Sequence, residues 1–433
     1  MNPIIVGIIG ILFLFLLLAM RMQIAFAMAL VGFLGFIVLS SFDSAVGLLG
    51  ILPFDTTASY TLSVIPLFLL MGEFANHSGM GSELYEMLYK WIGFLPGGLA
   101  MATVGACACF AAITGSSLAT AAMFGAIAFP EMKRLNYSDK LATGCIAAGG
   151  TLGILIPPSS VLILYGIITE QSIAKLFIAG VIPGLCLALL FILVIYVMTK
   201  AKPSLGAAGP KFSMMEKVVS LKATGSLLGL FVLVIGGLYT GWFTATEAAG
   251  VGAFGAFCVA ILKRRLTMKN LLASLKDTAG STAFIFAILI GAMIFQHFVT
   301  LTQIPNVLVS YIVGAGVSKY IVISAVIAAF MVLGCFMEGL SIMVLAVPVI
   351  YPVVIQLGFD PIWFGIIITI TMEMSLITPP VGVNVFVLSG VVKEVPMYTI
   401  FRGILPFWVA MIACIALLTA FPKIVLFLPN SMM

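Results

Sequence analysis

Two proline pairs stand 222 residues apart in this chain and constrain every fold it could adopt. Pro157-Pro158 follows Pro130, and Pro379-Pro380 follows Pro352, with the same displacement. The register holds between these markers, where Leu135 matches Leu357 and Tyr137 matches Phe359. Shortly afterwards Gly180 and Pro183 reappear as Gly403 and Pro406, displaced by 223. The spacing predicts a diverged duplication. Consecutive prolines remove two backbone donors and bar the preceding residue from the α region, so each pair interrupts an otherwise apolar helix and bares carbonyl groups. Such carbonyls are tolerated in a bilayer only where protein, a cavity or an ion meets them. A break of this kind recurring in both halves points to the central site of a transporter.

The bilayer itself is implied by composition. With 63% hydrophobic and 8% charged residues among 433, and a mean hydropathy of +1.27, too little polar surface remains to coat a soluble globule. The first apolar stretch, 4–20, lacks a positive leader and a small-residue cleavage site, and reads as a retained span. The seven cysteines, Cys107, Cys109, Cys145, Cys186, Cys258, Cys335 and Cys414, lie in apolar segments without Cys-x-x-Cys spacing or a histidine at ligand spacing. They read as small hydrophobes, and no transition-metal site is expected. A phosphate-binding Gly-x-x-x-x-Gly-Lys-Ser/Thr loop is missing, as is any soluble domain large enough for a nucleotide, so energy is expected from a gradient.

Apolar runs of bilayer length divide the chain into an all-α, polytopic plan. A first repeat, 1–200, holds spans at 4–20, 23–40 and 60–76, a re-entrant hairpin at 95–131, a broken span at 140–169 and a span at 176–199. A linker, 201–222, is rich in Gly, Ser, Lys and Pro. The second repeat, 223–433, holds spans at 223–240, 246–262 and 279–298, a hairpin at 320–357, a broken span at 361–391 and a last span at 402–421. Five crossings per half is an odd number, which inverts the second repeat relative to the first. Placing both chain ends outside leaves only Lys175, Lys319 and Lys423 of the 20 basic residues on that side, as the positive-inside rule requires. The net charge of +5 is therefore a topology signal, and basic residues scattered over loops give no nucleic-acid surface.

The first hairpin turns at Thr114-Gly115-Ser116-Ser117, and its counterpart is read at Glu338-Gly339-Leu340-Ser341. Each offers a glycine for irregular backbone and hydroxyl oxygens near half-helix ends. Opposite them stand Gly150-Thr151-Leu152-Gly153 with Pro157-Pro158-Ser159-Ser160, and Thr378-Pro379-Pro380-Val381-Gly382-Val383-Asn384. Carbonyls, hydroxyls and a carboxamide are hard oxygen donors suited to Na⁺, whereas soft metals would call for thiolate and imidazole. Small residues with Ser and Thr are also ordinary helix-packing surface in membranes; recurrence in both halves favours the ion site. Glu73, Glu247, Glu338 and Glu373 are the acidic residues at or near membrane depth. For Glu338 and Glu373, near the second site, a supporting or helix-capping role is favoured over proton carriage. Glu73 and Glu247 read as span-end residues, and His77 and His297 as interfacial anchors.

Three stretches carry a family resemblance: Pro130-Glu131-Met132-Lys133, Gly150 through Ser159, and Thr378 through Val387. Over almost its whole length the chain resembles the large membrane subunit of tripartite ATP-independent periplasmic (TRAP) transporters. The resemblance implies an elevator fold with scaffold and transport domains, in the bacterial inner membrane with both chain ends periplasmic. It also implies coupling to Na⁺ with no nucleotide, and two partners: a small four-span membrane subunit and a soluble periplasmic substrate-binding protein. Carried over by position, Thr114, Gly115, Ser116, Ser117, Gly153, Pro157, Pro158 and Ser159 would hold one Na⁺, and Gly339, Ser341, Thr378, Pro379, Gly382 and Asn384 another. An organic acid such as a sialic acid, a sugar acid or a dicarboxylate would lie between the tips, against Ser116, Ser117, Ser160, Ser341 and Asn384. Two positions depart from the family pattern, Glu338 in place of an aspartate and Ser375 in place of a glycine. The first hairpin arrives by residue 95 without a four-span preamble, so the small subunit is expected as a separate chain.

Other readings remain open. A gated anion channel would not concentrate its substrate, an intramembrane enzyme would need a nucleophile or metal pairing that the facing segments lack, and a carrier of the same superfamily would work without a binding protein.

Overall fold

The computed structural model describes residues 2–314 and 316–432, which are helical with no strand among them. The first half comprises α1 (Pro3–Ala19), α2 (Ile24–Leu39), α3 (Phe42–Thr57), α4 (Val64–His77), α5 (Met80–Ile92), α6 (Gly98–Thr114), α7 (Ser117–Arg134), α8 (Asp139–Gly150), α9 (Leu152–Leu155), α10 (Ser160–Ile168) and α11 (Ile173–Ala201). The second comprises α12 (Met214–Tyr239), α13 (Ala245–Leu262), α14 (Met268–Thr302), α15 (Ile304–Gly314), α16 (Lys319–Gly334), α17 (Gly339–Gln356), α18 (Pro361–Ser375), α19 (Val383–Val391), α20 (Met397–Ala420) and α21 (Lys423–Asn430). Hairpins α6–α7 and α16–α17 occupy the segments read as re-entrant, and α18 and α19 flank the second proline pair as α8 to α10 flank the first. Helices α7 and α17 start 222 residues apart, at Ser117 and Gly339, as do α8 and α18, at Asp139 and Pro361.

Several boundaries differ from the sequence reading. Residues 42–57, between the spans read at 23–40 and 60–76, form α3, which meets the segment Tyr60–His77 at a 50° bend. The span read at 60–76 is thus one limb of a bent pair, matching the single 35-residue α14, which replaces the span read at 279–298. At 1.5 Å per residue α14 is about 52 Å long, well beyond a hydrocarbon core of about 30 Å. Helix α5, also unread, buries Met80, Leu84, Tyr85 and Met87 while its other face carries Glu86 and Lys90, paired at 2.7 Å. Its 13 residues are too few to cross a bilayer. Glu83 of the same helix pairs with Lys263 in the turn after α13.

The linker is shorter than 201–222, because Ser213 and Glu216 form a capping box that starts α12 at Met214. What remains is strapped across the base of the first hairpin. Gly97 N–H donates to Gly206 O at 3.1 Å, Gly209 N–H to Gly93 O at 2.8 Å, and the Tyr137 hydroxyl to Ala207 O at 2.8 Å.

Packing sorts the helices into two groups. Helices α2, α4, α13 and α14 pack on one another as a frame, while α6 to α11 and α16 to α20 form a block around the two proline breaks. Glycines let backbones touch within each group: Gly32 on α2 leaves room for a Cβ only 2.7 Å from the Phe295 nitrogen of α14, and Gly144 on α8 lies directly against Gly403 of α20. Frame meets block mainly where α4 touches α6 and α14 touches α17.

Candidate ion and substrate site

The first tip is built by backbone complementarity. Gly115 ends α6 in the left-handed region at φ 58°, where a side chain is disfavoured. A Cβ there would lie 2.7 Å from Pro158 O, and one on Gly153 would lie 2.7 Å from Ser116 O. Ser116 then caps α7, its hydroxyl accepting from Ala119 N–H at 3.3 Å. Across the gap Ser159 caps α10, accepting from Leu162 N–H at 3.2 Å, and the Ser160 hydroxyl donates to Gly115 O at 3.4 Å. Thr114 bonds to Phe110 O at 3.3 Å and lies 3.2 Å from the Thr120 hydroxyl. Pro157, Pro158 and Ser159 are buried. The peptide bond Pro157-Pro158 is cis, and so is Pro379-Pro380.

The second tip is built differently, which corrects the equivalence read from sequence. Glu338 holds the N-cap position of α17, as Ser116 does for α7, so Gly339 is the first helical residue and is not a left-handed turn glycine like Gly115. The turn is made instead by Cys335, Phe336 and Met337. Glu338 makes no side-chain cap bond, and Ser341 is buried inside α17. Contact with the second break runs from the Cys335 thiol to Pro379 O at 3.4 Å. Pro379 and Pro380 are exposed. The Thr378 hydroxyl donates to Met374 O at 2.7 Å and accepts from Trp408 Nε1 at 3.1 Å. Gly382, at φ 56°, opens α19. Ser375, the departure from the family pattern, donates to Met372 O at 2.5 Å and fills the space beside Gly334.

Both tips open on one cavity of about 170 Å³. Ser116, Ser117 and Ser160 reach it from the first half, and Glu338, Gly339 and Val383 from the second. Four helices, α7, α10, α17 and α19, begin at this cavity, so four sets of free N–H groups and positive dipole ends converge on it. No Lys, Arg or His lines it among the described residues. The Ser117 hydroxyl is buried and has no hydrogen-bond partner among the described residues. A small anion is the ligand such a set suits. The frame closes the remaining side with Leu69 of α4 and Ser281, Phe284 and Ile285 of α14. Sequence reasoning missed these four, since an apolar span carries no mark of which face meets a cavity.

Other expected residues stand elsewhere. Glu373 lies inside α18, is 2% exposed, and is therefore no helix cap. Glu247 belongs to a capping box with Thr244 at the start of α13. His297 lies five residues before the end of α14 and lines a second, larger cavity of about 1170 Å³, with Asp55, Glu170 and Gln171. All seven cysteines are free.

Comparison with known proteins agrees with this architecture. Residues 11–424 match the family described as tripartite ATP-independent periplasmic transporter, DctM component. The C4-dicarboxylate TRAP transporter large permease protein DctM of Pseudomonas aeruginosa is 40% identical over 379 residues, covering 87% of this chain and 88% of that one. The isethionate TRAP transporter permease protein DctMQ of Oleidesulfovibrio alaskensis is 32% identical over 86% of this chain, which spans 59% of that longer protein. The crystal structure of the Alcanivorax borkumensis YdaH transporter shares the fold at a TM-score of 0.64 and 15% identity, covering 88% of this chain and 90% of that one. The chain belongs to the tripartite ATP-independent periplasmic transporter family, as a DctM component, the large permease.

Proposed function

We propose that this permease carries a small organic acid anion inward together with Na⁺, and that the anion occupies the cavity between the two tips. The observation that carries the reading is the convergence of four helix N-termini, without a basic side chain, on a cavity shared by both halves. Dipoles alone attract a carboxylate weakly, so a cation beside each tip lowers the cost of taking the anion out of water. The oxygen donors for it are Thr114, Ser116, Ser117 and Ser159 with the carbonyls around Gly153, Pro157 and Pro158 at the first tip. At the second they are Ser341, Thr378 and Asn384 with the carbonyls around Gly339, Pro379 and Gly382.

The block moves as one body along the frame. Helix α14 supports this reading, because Ser281 and Ile285 face the tip cavity while Met293 and His297 face the larger one. From Ser281 to His297 is about 24 Å along the helix, a distance over which cargo could be handed across a bilayer. With both chain ends outside and the second half inverted, the larger cavity is the periplasmic vestibule and the tip cavity lies nearer the cytoplasm. Each Na⁺ entering down 100 mV contributes about 2.3 kcal/mol, so two Na⁺ against one carboxylate leave a net inward drive of one charge.

A soluble binding protein delivers the anion, and a small four-span subunit completes the frame. The test is uptake of labelled dicarboxylates, sugar acids and sialic acid into proteoliposomes holding this chain and its small subunit, under an imposed Na⁺ gradient. Accumulation that needs both Na⁺ and the binding protein is expected. Accumulation without the binding protein makes the chain a self-sufficient carrier, and equilibration without accumulation makes it a channel.

A further inference from the structure

A groove of about 560 Å³ runs between α16, the first helix of the second hairpin, and α20. Both helices pack on α18 and leave the groove between them. Ile323 and Ile327 line it from α16, and Ile412, Ile415 and Ala416 from α20. Its hydroxyls do not make it polar. Ser324 donates to Tyr320 O at 2.8 Å and Thr419 to Ile415 O at 2.7 Å, so each is engaged by its own helix. The lining runs from Tyr320 to Ile327 and from Ile412 to Ala420. That is about 10–12 Å of helix, most of one leaflet of a hydrocarbon core about 30 Å thick.

One end of the groove carries the marks of a bilayer surface. Lys319, at the start of α16, holds its ammonium 5.6 Å from the ring centroid of Tyr320 and 5.4 Å from that of Phe359. Phe359 stacks on Trp363 at 5.0 Å, and Trp363 Nε1 donates to Leu418 O at 2.9 Å, which ties the aromatic group to α20. Aromatic rings grouped with a snorkelling lysine belong at headgroup level. Lys423 begins α21, three residues after Ala420, where the groove ends on α20. Both lysines are exposed, and neither forms an ion pair among the described residues. The carboxylate on this edge, Asp360, caps α18 by accepting from Ile362 and Trp363 N–H at 2.8 and 3.0 Å. Of the 20 basic residues, Lys319 and Lys423 are two of the three that the positive-inside reading leaves on the outer side.

We propose that this groove binds one phospholipid with an anionic headgroup, an acyl chain lying between α16 and α20 and the phosphate between Lys319 and Lys423. The apolar lining selects a hydrocarbon chain over water, and the two lysines at one end select a negative headgroup over a zwitterion. A helix of another subunit would meet the same lining but leave both ammonium groups without a partner. Seated there, the lipid braces α16, and with it the hairpin that brings Glu338 and Gly339 to the tip cavity. The site stands apart from the cargo and from Na⁺ coupling.

Native mass spectrometry of the purified full chain, titrated with phosphatidylglycerol and separately with phosphatidylcholine of the same acyl chains, tests this. Wild type is expected to take one phosphatidylglycerol saturably, about tenfold more tightly than phosphatidylcholine. Lys319→Gln combined with Lys423→Gln should abolish that preference and leave the weaker affinity. Ala416→Trp, which fills the groove, should lower the affinity for both lipids by about tenfold, while Val232→Trp on α12 changes neither. All four positions are exposed, so the variants are expected to fold as wild type does. Equal affinity for the two lipids in wild type, or a preference that survives the loss of both lysines, would overturn the anionic site. Phosphatidylglycerol binding untouched by Ala416→Trp would put the lipid elsewhere and overturn the groove. Loss of the bound lipid on adding the small membrane subunit would make the groove a subunit interface, which overturns the proposal as well.

Discussion

The two hairpin tips, whose second helices start 222 residues apart, differ in how they meet their broken helices. At the first, backbone faces backbone: Gly115 approaches Pro158 O, Gly153 approaches Ser116 O, and the proline pair is buried. At the second, contact runs through side chains, from Cys335 to Pro379 O and from Ser375 to Gly334, with the proline pair exposed and Phe336 71% exposed. Backbone contacts allow no rotamer adjustment, whereas side-chain contacts can reorganise at small cost. The first tip is therefore the more rigidly held of the two, and the second has more freedom to rearrange.

Glycine substitutions probe this asymmetry most strongly. Gly153→Ala drives a methyl group to 2.7 Å from Ser116 O, and Gly115→Ala adds the left-handed backbone at φ 58° to a similar clash. Each is expected to destabilise the fold by about 1–3 kcal/mol. Uptake should fall by about tenfold or more, read as a lower unfolding midpoint together with the uptake rate. A near-normal Gly153→Ala would mean that the first tip is not held rigid.

A smaller effect is expected at the second break, where Trp408→Phe removes the 3.1 Å bond to the Thr378 hydroxyl. Losing one such bond costs about 1 kcal/mol. The half-saturating Na⁺ concentration for uptake should rise by up to about fivefold, with the maximal rate little changed.

The smallest effect belongs to Gly339→Ala. Its Cβ would meet only the flexible end of Met372, at 3.2 Å, and alanine is favoured over glycine in a helix by up to about 1 kcal/mol. Uptake within about twofold of wild type is expected. A collapse of activity equal to that of Gly115→Ala would restore the equivalence of the two glycines and remove the asymmetry.

Much of the site was legible in the sequence because proline and glycine act locally. The pairs at Pro157 and Pro379 break helices wherever they fall, and Gly115 can hold a left-handed turn that other residues resist. The displacement by 222 residues placed both breaks in one scheme. Mispairing Gly339 with Gly115 came from matching residue types, where the register pairs Glu338 with Ser116. Helix α3 went unread because Asp43, Asp55 and Thr56 interrupt its apolar run, and α5 because its 13 residues alternate charge with apolar side chains. The lining of the tip cavity by Ser281, Phe284 and Ile285 was invisible for another reason. Along the predominantly apolar stretch of α14 the periodicity does not distinguish the face toward lipid from the face toward a cavity.

The central claim is that both tips carry the cargo as one block along α14. Paired cysteines test it directly, in a chain whose seven native cysteines are replaced. Ser281→Cys with Leu340→Cys joins residues that line the same cavity, and Met293→Cys with Leu340→Cys asks whether the block reaches the vestibule level of α14. The account predicts that the first pair cross-links at rest and stops uptake until reduced, and that the second forms only during turnover. Undiminished uptake with the first pair fully cross-linked would contradict it.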